Sequence, residues 1–335
     1  MKLSLYAWGE TLDELSSVAR AAESAGFTRV WTAELARSAT IAAAAMASAT
    51  TRIGVATGIA LAFVRSPMIT ALEALDLDEL ANGRFTLGLG TGVQRLNEDW
   101  HAVRFGSPVA HLREVIDVIR LVMRNGPTGA PIAYEGAETR AAVRGWQRPF
   151  PSVRPVVPIY VAAVGPAMCR LAGRTADGWI AHELGSAAYF KANVAPLIND
   201  GLVAARRSRA DIALVASACC VIDRDAAQAR RWAAGLVAFY ATVRTYRDFF
   251  AWHGFAAETA AVGAAFKAGD VSSMVDAVPD AMVDALTFAG TADDVRARIH
   301  AYDGLVDEIK LSAPTHHVPA EVTRATQRAI IEELS

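Results

Sequence analysis

Cysteine is scarce in this chain, with only Cys169, Cys219 and Cys220 among 335 residues. An odd count with two members adjacent makes neither a disulfide framework nor a thiolate metal cluster, and it fits a reducing compartment. Long apolar runs are missing too. The longest near the start, Ile53 to Val64, is too short to span a bilayer and is flanked by Arg52 and Arg65. The opening residues MKLSLYAW read as a strand, not as a secretion signal, so a cytoplasmic location is expected. There is no Lys/Arg-rich block, and the net charge is −2, which removes bulk attraction for nucleic acid. No GxGxxG motif joins the first strand pattern to the first helix, which weakens a dinucleotide-binding fold.

What is present is an ordered alternation. Strands are expected at Leu3 to Trp8, Arg29 to Thr32, Ile53 to Ala60, Phe85 to Leu89, Pro158 to Ala162, Gly178 to Ala181, Ile212 to Ile222 and Val306 to Leu311. Helical spacing fills the intervals, as in Leu12 to Ala25, which ends at Gly26, and Pro67 to Leu80, which ends at Asn82-Gly83. Strands alternating with helices imply a parallel sheet. Eight such units predict an α/β fold closed as a (β/α)8 TIM barrel. With 53% hydrophobic residues the chain can bury the core such a barrel needs.

Two stretches exceed the minimal repeat and are read as insertions of a single barrel domain, at about 125–156 and 242–288. The second gathers Tyr246, Phe249, Phe250, Trp252 and Phe255, which form either a small satellite core or a wall of the binding site. Long insertions are tolerated cheaply by a scaffold and often build binding walls.

The stretch VPIYVAAVGPAMCRLAGRTADGWIAHE, residues 157–183, is the most informative. A β-branched run leads into Ala162 and Ala163, a Gly165-Pro166 corner, a helix and a second short strand. Proline suits the first position of a helix, and glycine lets backbone approach a ligand. Free N–H groups at such a helix start make an anion site. From the residues alone this is either a phosphate cradle or an ordinary strand-to-helix turn.

Four segments together resemble the bacterial luciferase-like superfamily, and within it the actinobacterial oxidoreductases that use the deazaflavin coenzyme F420. They are GFTRVWTAE (26–34), TTRIGVATGIALAFVRSPMITALEALDLDELANGRFTLGLGTG (50–92), VPIYVAAVGPAMCRLAGRTADGWIAH (157–182) and AGTADDVRARI (289–299). The resemblance implies F420, or FMN as the alternative, at the C-terminal mouth of the barrel. It implies a non-prolyl cis peptide at Gly58-Ile59 behind the ring, with Thr57, Thr91 and Glu34 among the cofactor contacts. It places the cofactor phosphate on Ala163, Val164, Gly165, Pro166, Ala167 and Met168. It also implies a homodimer. Two departures stand out: Leu35 follows Glu34 where many relatives have histidine, and Val93 follows Gly90-Thr91-Gly92 where sugar-phosphate dehydrogenases have an acid.

For chemistry, the protein must orient a substrate and supply a proton. His182, just past the sixth strand, is the candidate donor, with a cofactor-holding role as its alternative. Glu34 is the second catalytic candidate, as a ring-orienting group or proton acceptor, set against an ion pair with Arg37 or Arg65. Arg95, Asn97, Trp100 and His101 follow the fourth strand as substrate-side or solvated loop residues. The adjacent His316 and His317 lack a carboxylate at ligand spacing, so no metal is expected. The function expected is an F420-dependent oxidoreductase reducing a small organic substrate. A two-component monooxygenase using reduced FMN is the alternative, and a non-catalytic cofactor-binding paralogue a further one.

Overall fold

The computed structural model describes all residues, 1–335. Eight parallel strands close on themselves: β1 (Lys2–Tyr6), β2 (Arg29–Thr32), β3 (Gly54–Thr57), β4 (Phe85–Gly90), β5 (Ile159–Ala162), β6 (Gly178–Ile180), β7 (Ala213–Ile222) and β8 (Glu308–Ser312). Each pairs with the next, and β8 returns to β1 with Ser4 opposite Lys310. This is a TIM barrel, with the helices packed outside it.

Local chemistry sets the elements. Thr11 caps the helix Leu12–Ser24 by accepting the Glu14 N–H, and Ser66 caps Pro67–Leu80 by accepting the Ile69 N–H. Pro67 occupies the first helical turn, where its missing N–H costs nothing. The main core of 60 buried residues lies between strands and helices. Inside the barrel a smaller cluster meets across the lumen: Trp31, Ala56, Tyr160, Ile180 and Val215.

The third strand departs from its predicted span. The ladder stops at Thr57, the Gly58-Ile59 peptide is cis, and Ala60–Leu61 resumes as a separate strand on β4. The last strand starts at Glu308 and not at Val306. A further strand, Phe288–Gly290, pairs with Cys220–Ile222 at the end of β7 and had no sequence signal beyond its apolar character.

The two stretches outside the repeat also take form. Ile132–Glu135 and Arg140–Val143 make an antiparallel hairpin away from the barrel sheet. Its turn is fixed by Glu114, whose carboxylate accepts the N–H groups of Ala137, Glu138 and Thr139 at 3.1, 2.8 and 2.8 Å. Residues 247–286 are mostly helical and share a 19-residue core with the helix Ala226–Ala241. No helix is long and apolar enough to cross a membrane.

Candidate active site

The lower lumen is closed by polar packing. Arg29 pairs with Glu308 at 2.6 Å, and its guanidinium lies 5.1 Å from the Trp31 ring and 5.4 Å from the Tyr160 ring. The Trp31 indole N–H donates to the Ser4 hydroxyl at 2.9 Å. Above this floor the carboxyl ends of the strands form a mouth, where active sites of such barrels sit.

Gly58 lies directly over Trp31: a Cβ there would stand 2.7 Å from the indole. Ile59 turns its side chain against Gly90, where an added Cβ would meet it at 2.6 Å. The Thr57 hydroxyl faces the neighbouring strand. It donates to the Gly88 carbonyl at 2.8 Å and accepts the Gly88 N–H at 2.9 Å, so it has no proton left for a ligand. Gly88 itself is required, since a Cβ would stand 1.9 Å from the Thr57 carbonyl oxygen.

Glu34 is committed to protein contacts. Its N–H donates to the Ile59 carbonyl at 2.9 Å, and its Oε2 accepts the Leu61 N–H at 2.9 Å and the Arg65 guanidinium at 2.7 Å. Burial pushes the carboxyl pKa up, but Arg65 and the Leu61 N–H outweigh it and leave a net fall. The pairing with Arg65 is thus present, and the side chain bridges Arg65 and the strand after the cis bond.

The Gly-Thr-Gly loop is pinned from beneath. Asn97, fully buried, donates to the carbonyls of Thr91 and Val93 at 2.8 and 3.0 Å. Thr91 turns its hydroxyl to the Gly92 carbonyl at 2.9 Å, and Trp100 and His101 are exposed. Asn97 thereby holds the loop from inside, unlike the solvated neighbours with which it was grouped.

The corner after β5 has the features of an anion cradle. Gly165 is the cap of the helix Pro166–Thr175, without a side-chain capping bond. The first N–H to enter the helix ladder is that of Cys169, which donates to Gly165. The N–H groups of Val164, Gly165, Ala167 and Met168 have no acceptor within the protein. Residues 164–167 are exposed, and nothing lies within 4 Å of a Cβ placed on Gly165. Ala163 differs from expectation. Its N–H is given to the Ile180 carbonyl at 3.3 Å, and its own carbonyl takes the Trp179 indole at 2.9 Å, so the free donors begin at Val164. Pro166 has no N–H and contributes only its fixed φ. The donor set fits the phosphate of a cofactor.

His182 projects into the mouth and lines an apolar pocket that also takes in Val164, Leu184, Tyr246 and Phe249. Its Nδ1 accepts the Leu184 N–H at 3.1 Å, which leaves the proton on Nε2. Tyr240 and Tyr246 pack on the ring at 4.2 and 4.5 Å. Burial, with Lys310 and His316 adding to it, drives its pKa down to about 3. The ring is therefore neutral at ordinary pH and offers a hydrogen bond, not an imidazolium proton. Tyr246 comes from the second insertion, so that segment supplies both a satellite core and a wall of the mouth.

Sequence reasoning missed several groups here. Glu183 accepts the Tyr240 hydroxyl at 3.0 Å, and burial raises its pKa against the opposing pull of Lys310 and Tyr240. Lys310 lies within the barrel. The signal was available: along β8 the inward positions are Glu308, Lys310 and Ser312, while Ile309 and Leu311 point outward.

Comparison with known proteins agrees with this architecture. The protein-family model described as luciferase-like monooxygenase matches residues 3–308. A putative coenzyme F420-dependent oxidoreductase of Mycobacterium tuberculosis is 30% identical over 325 residues, covering 90% of this chain and 92% of that protein. The structure of a coenzyme F420-dependent tetrahydromethanopterin reductase from Methanopyrus kandleri superposes with a TM-score of 0.84 at 22% identity, covering 99% of this chain and 97% of the other. The FMN complex of the oxygenating constituent of 3,6-diketocamphane monooxygenase from Pseudomonas putida superposes at 0.67 and 19% identity, covering 99% and 97%. The structural likenesses establish the fold. With the family match running from the first strand into the last, the closed barrel and its open-mouthed glycine corner are those of a member of the luciferase-like monooxygenase family.

Proposed function

We propose that this protein is an F420-dependent oxidoreductase that reduces a small organic substrate by hydride transfer from the reduced deazaflavin. The observation that carries this reading is the exposed corner at Val164 to Met168, where four backbone N–H groups are free. A helix N-terminus with free donors suits a phosphate. The preference for F420 over FMN rests on the mycobacterial relative, named as a putative F420-dependent enzyme.

In this reading Val164, Gly165, Ala167 and Met168 hold the phosphate, and the Gly58-Ile59 segment backs the ring over Trp31. When bound, the cofactor supplies the hydride. The chain's own residues orient and enclose. Glu34 fixes the segment from Ile59 to Leu61 and so positions the shelf, while His182 directs its Nε2–H toward the ligand. The apolar wall from Leu184, Tyr246 and Phe249 excludes water.

A two-component monooxygenase using reduced FMN is the second reading, favoured by the fold shared with an FMN-bound oxygenating subunit. Titration of the purified protein with F420 and with FMN, followed by fluorescence quenching, separates the two. Tighter binding of F420 is expected, and tighter binding of FMN overturns the reading.

A further inference from the structure

The chain has four lysines, Lys2, Lys191, Lys267 and Lys310. Arginine makes up the rest of its 33 basic residues and forms nearly every ion pair. Three of the lysines are exposed, whereas Lys310 is 6% exposed. It lies on β8 between Ser4 of β1 and Ser217 of β7. Its ammonium stands 5.8 Å from the centre of the Trp31 ring, the ring beneath Gly58. It makes no hydrogen bond and no ion pair with any protein group. The residue is buried but its ammonium is not sealed off, so with no protein acceptor its three donors are open to a ligand in the lumen.

The surroundings indicate which kind. Glu183, and to a lesser extent Glu308, act on Lys310 electrostatically, but neither pairs with it, and Glu308 is already held by Arg29. The Tyr240 hydroxyl holds the other side of the Glu183 carboxyl at 3.0 Å. The apolar pocket reaches this region through His182 and Leu184, which flank Glu183, and Ser217, which faces Lys310 across the ladder. A positive group, a hydrogen-bonded acid and an apolar wall together fit a small carbonyl compound whose oxygen becomes negative during reduction.

Building on the oxidoreductase reading above, we infer that Lys310 receives the oxygen of a carbonyl substrate and that Glu183 gives that oxygen its proton. A hydride with two electrons passes from the reduced deazaflavin to the carbonyl carbon, and the C=O π bond breaks toward oxygen. Lys310 holds the resulting negative charge. The Glu183 proton then makes the alcohol, and the carboxylate regains its proton from solvent. Burial raises the Glu183 pKa, which suits a proton donor; it lowers that of Lys310, an effect that Glu183 and Glu308 oppose by favouring the ammonium.

The test uses the small number of lysines. Protein labelled with 13Cε-lysine has four side-chain resonances, and Lys310→Arg identifies that of Lys310 by its loss. Cyclohexanecarboxylate, an oxyanion of substrate size, is titrated into cofactor-free protein. The Lys310 resonance should move saturably while the other three stay fixed, and Lys310→Met should weaken carboxylate binding at least tenfold. In the F420-loaded enzyme with cyclohexanone, Lys310→Met should lower kcat/KM about 10²-fold and leave F420 quenching unchanged. Glu183→Gln should lower kcat more than it raises KM. A Lys310 resonance that ignores the carboxylate, or wild-type kcat/KM in Lys310→Met, overturns the inference. Failure of the wild type to bind F420 defeats the cofactor reading instead, and the resonance titration still decides the role of the lysine.

Discussion

Glu34 and Arg65 form a two-pronged ion pair at the lip of the barrel, with Arg65 reaching both carboxylate oxygens and Glu34 Oε2 also accepting the Leu61 N–H. The pair ties the end of β2 to the segment that follows β3. It is mostly sheltered, with side-chain exposures of 9% for Glu34 and 19% for Arg65. Removing the Glu34 charge leaves Arg65 only its longer pairing with Glu73 at 3.4 Å. Glu34→Gln should therefore lower folding stability by about 1.5–3 kcal/mol, the range for a hydrogen bond to a charged group. Urea unfolding checks this. If Glu34 instead accepts a proton in catalysis, single-turnover hydride transfer at saturating cofactor falls far more than stability does.

Gly165 is free of neighbours, so a side chain there meets no protein atom within 4 Å. Its φ of −80° is open to any residue. Gly165→Val should leave the melting temperature within a few degrees of wild type and weaken F420 binding at least tenfold, measured by quenching. Unchanged affinity would remove the cofactor from this corner.

His182 has a pKa held down to about 3, against 6.5 for the free side chain. The unfolded chain therefore binds a proton between those values that the folded protein refuses. The sign follows: stability is fully present above about pH 6.5 and is lost as pH falls toward 3. His182→Gln should flatten the acid limb of the stability curve between pH 6.5 and 4 in urea melts. An unchanged limb would show that the imidazole is accessible. A kcat profile of the wild type should show no limb from this residue near pH 6.5.

Glu114 is 2% exposed and accepts three backbone N–H groups of the hairpin turn. Burial raises its pKa, but these bonds dominate and the net direction is down. Its stabilising contribution is thus present above the ordinary carboxylate range and lost as pH falls through the folded value. Glu114→Gln should cost about 1–3 kcal/mol and speed proteolysis within 132–143, while F420 binding persists. Protection of the hairpin equal to wild type would refute the clasp.

Gly88→Ala places a methyl group 1.9 Å from the Thr57 carbonyl oxygen, a backbone atom that cannot swing aside. Overpacking of this kind costs about 1–3 kcal/mol or more. Thermal melting should show the loss, and a neutral result would mean that β3 and β4 can separate at this point.

The sequence by itself determined the barrel. Eight apolar strand patterns, each followed by a helical period and none by a hairpin within the repeat, leave a parallel sheet few ways to bury both faces, and closure is one of them. It also determined the corner at Gly165-Pro166, because proline and glycine act through their own backbone, whatever surrounds them. The cis position at Gly58-Ile59 was legible only through family resemblance, since glycine in a strand is compatible with either isomer. What neighbouring residues do to one another was decided by tertiary structure. Ala163 lost its N–H to Ile180, Thr57 turned to Gly88, and His182 was desolvated by Tyr240 and Tyr246, which arrive from about 60 residues away in sequence. Glu183 follows the end of β6 and Lys310 sits at the centre of β8; they come near each other only because β7 pairs with both strands. Backbone geometry is written locally, whereas the charge state and the free hydrogen-bonding capacity of a side chain depend on which distant groups the closed barrel brings against it.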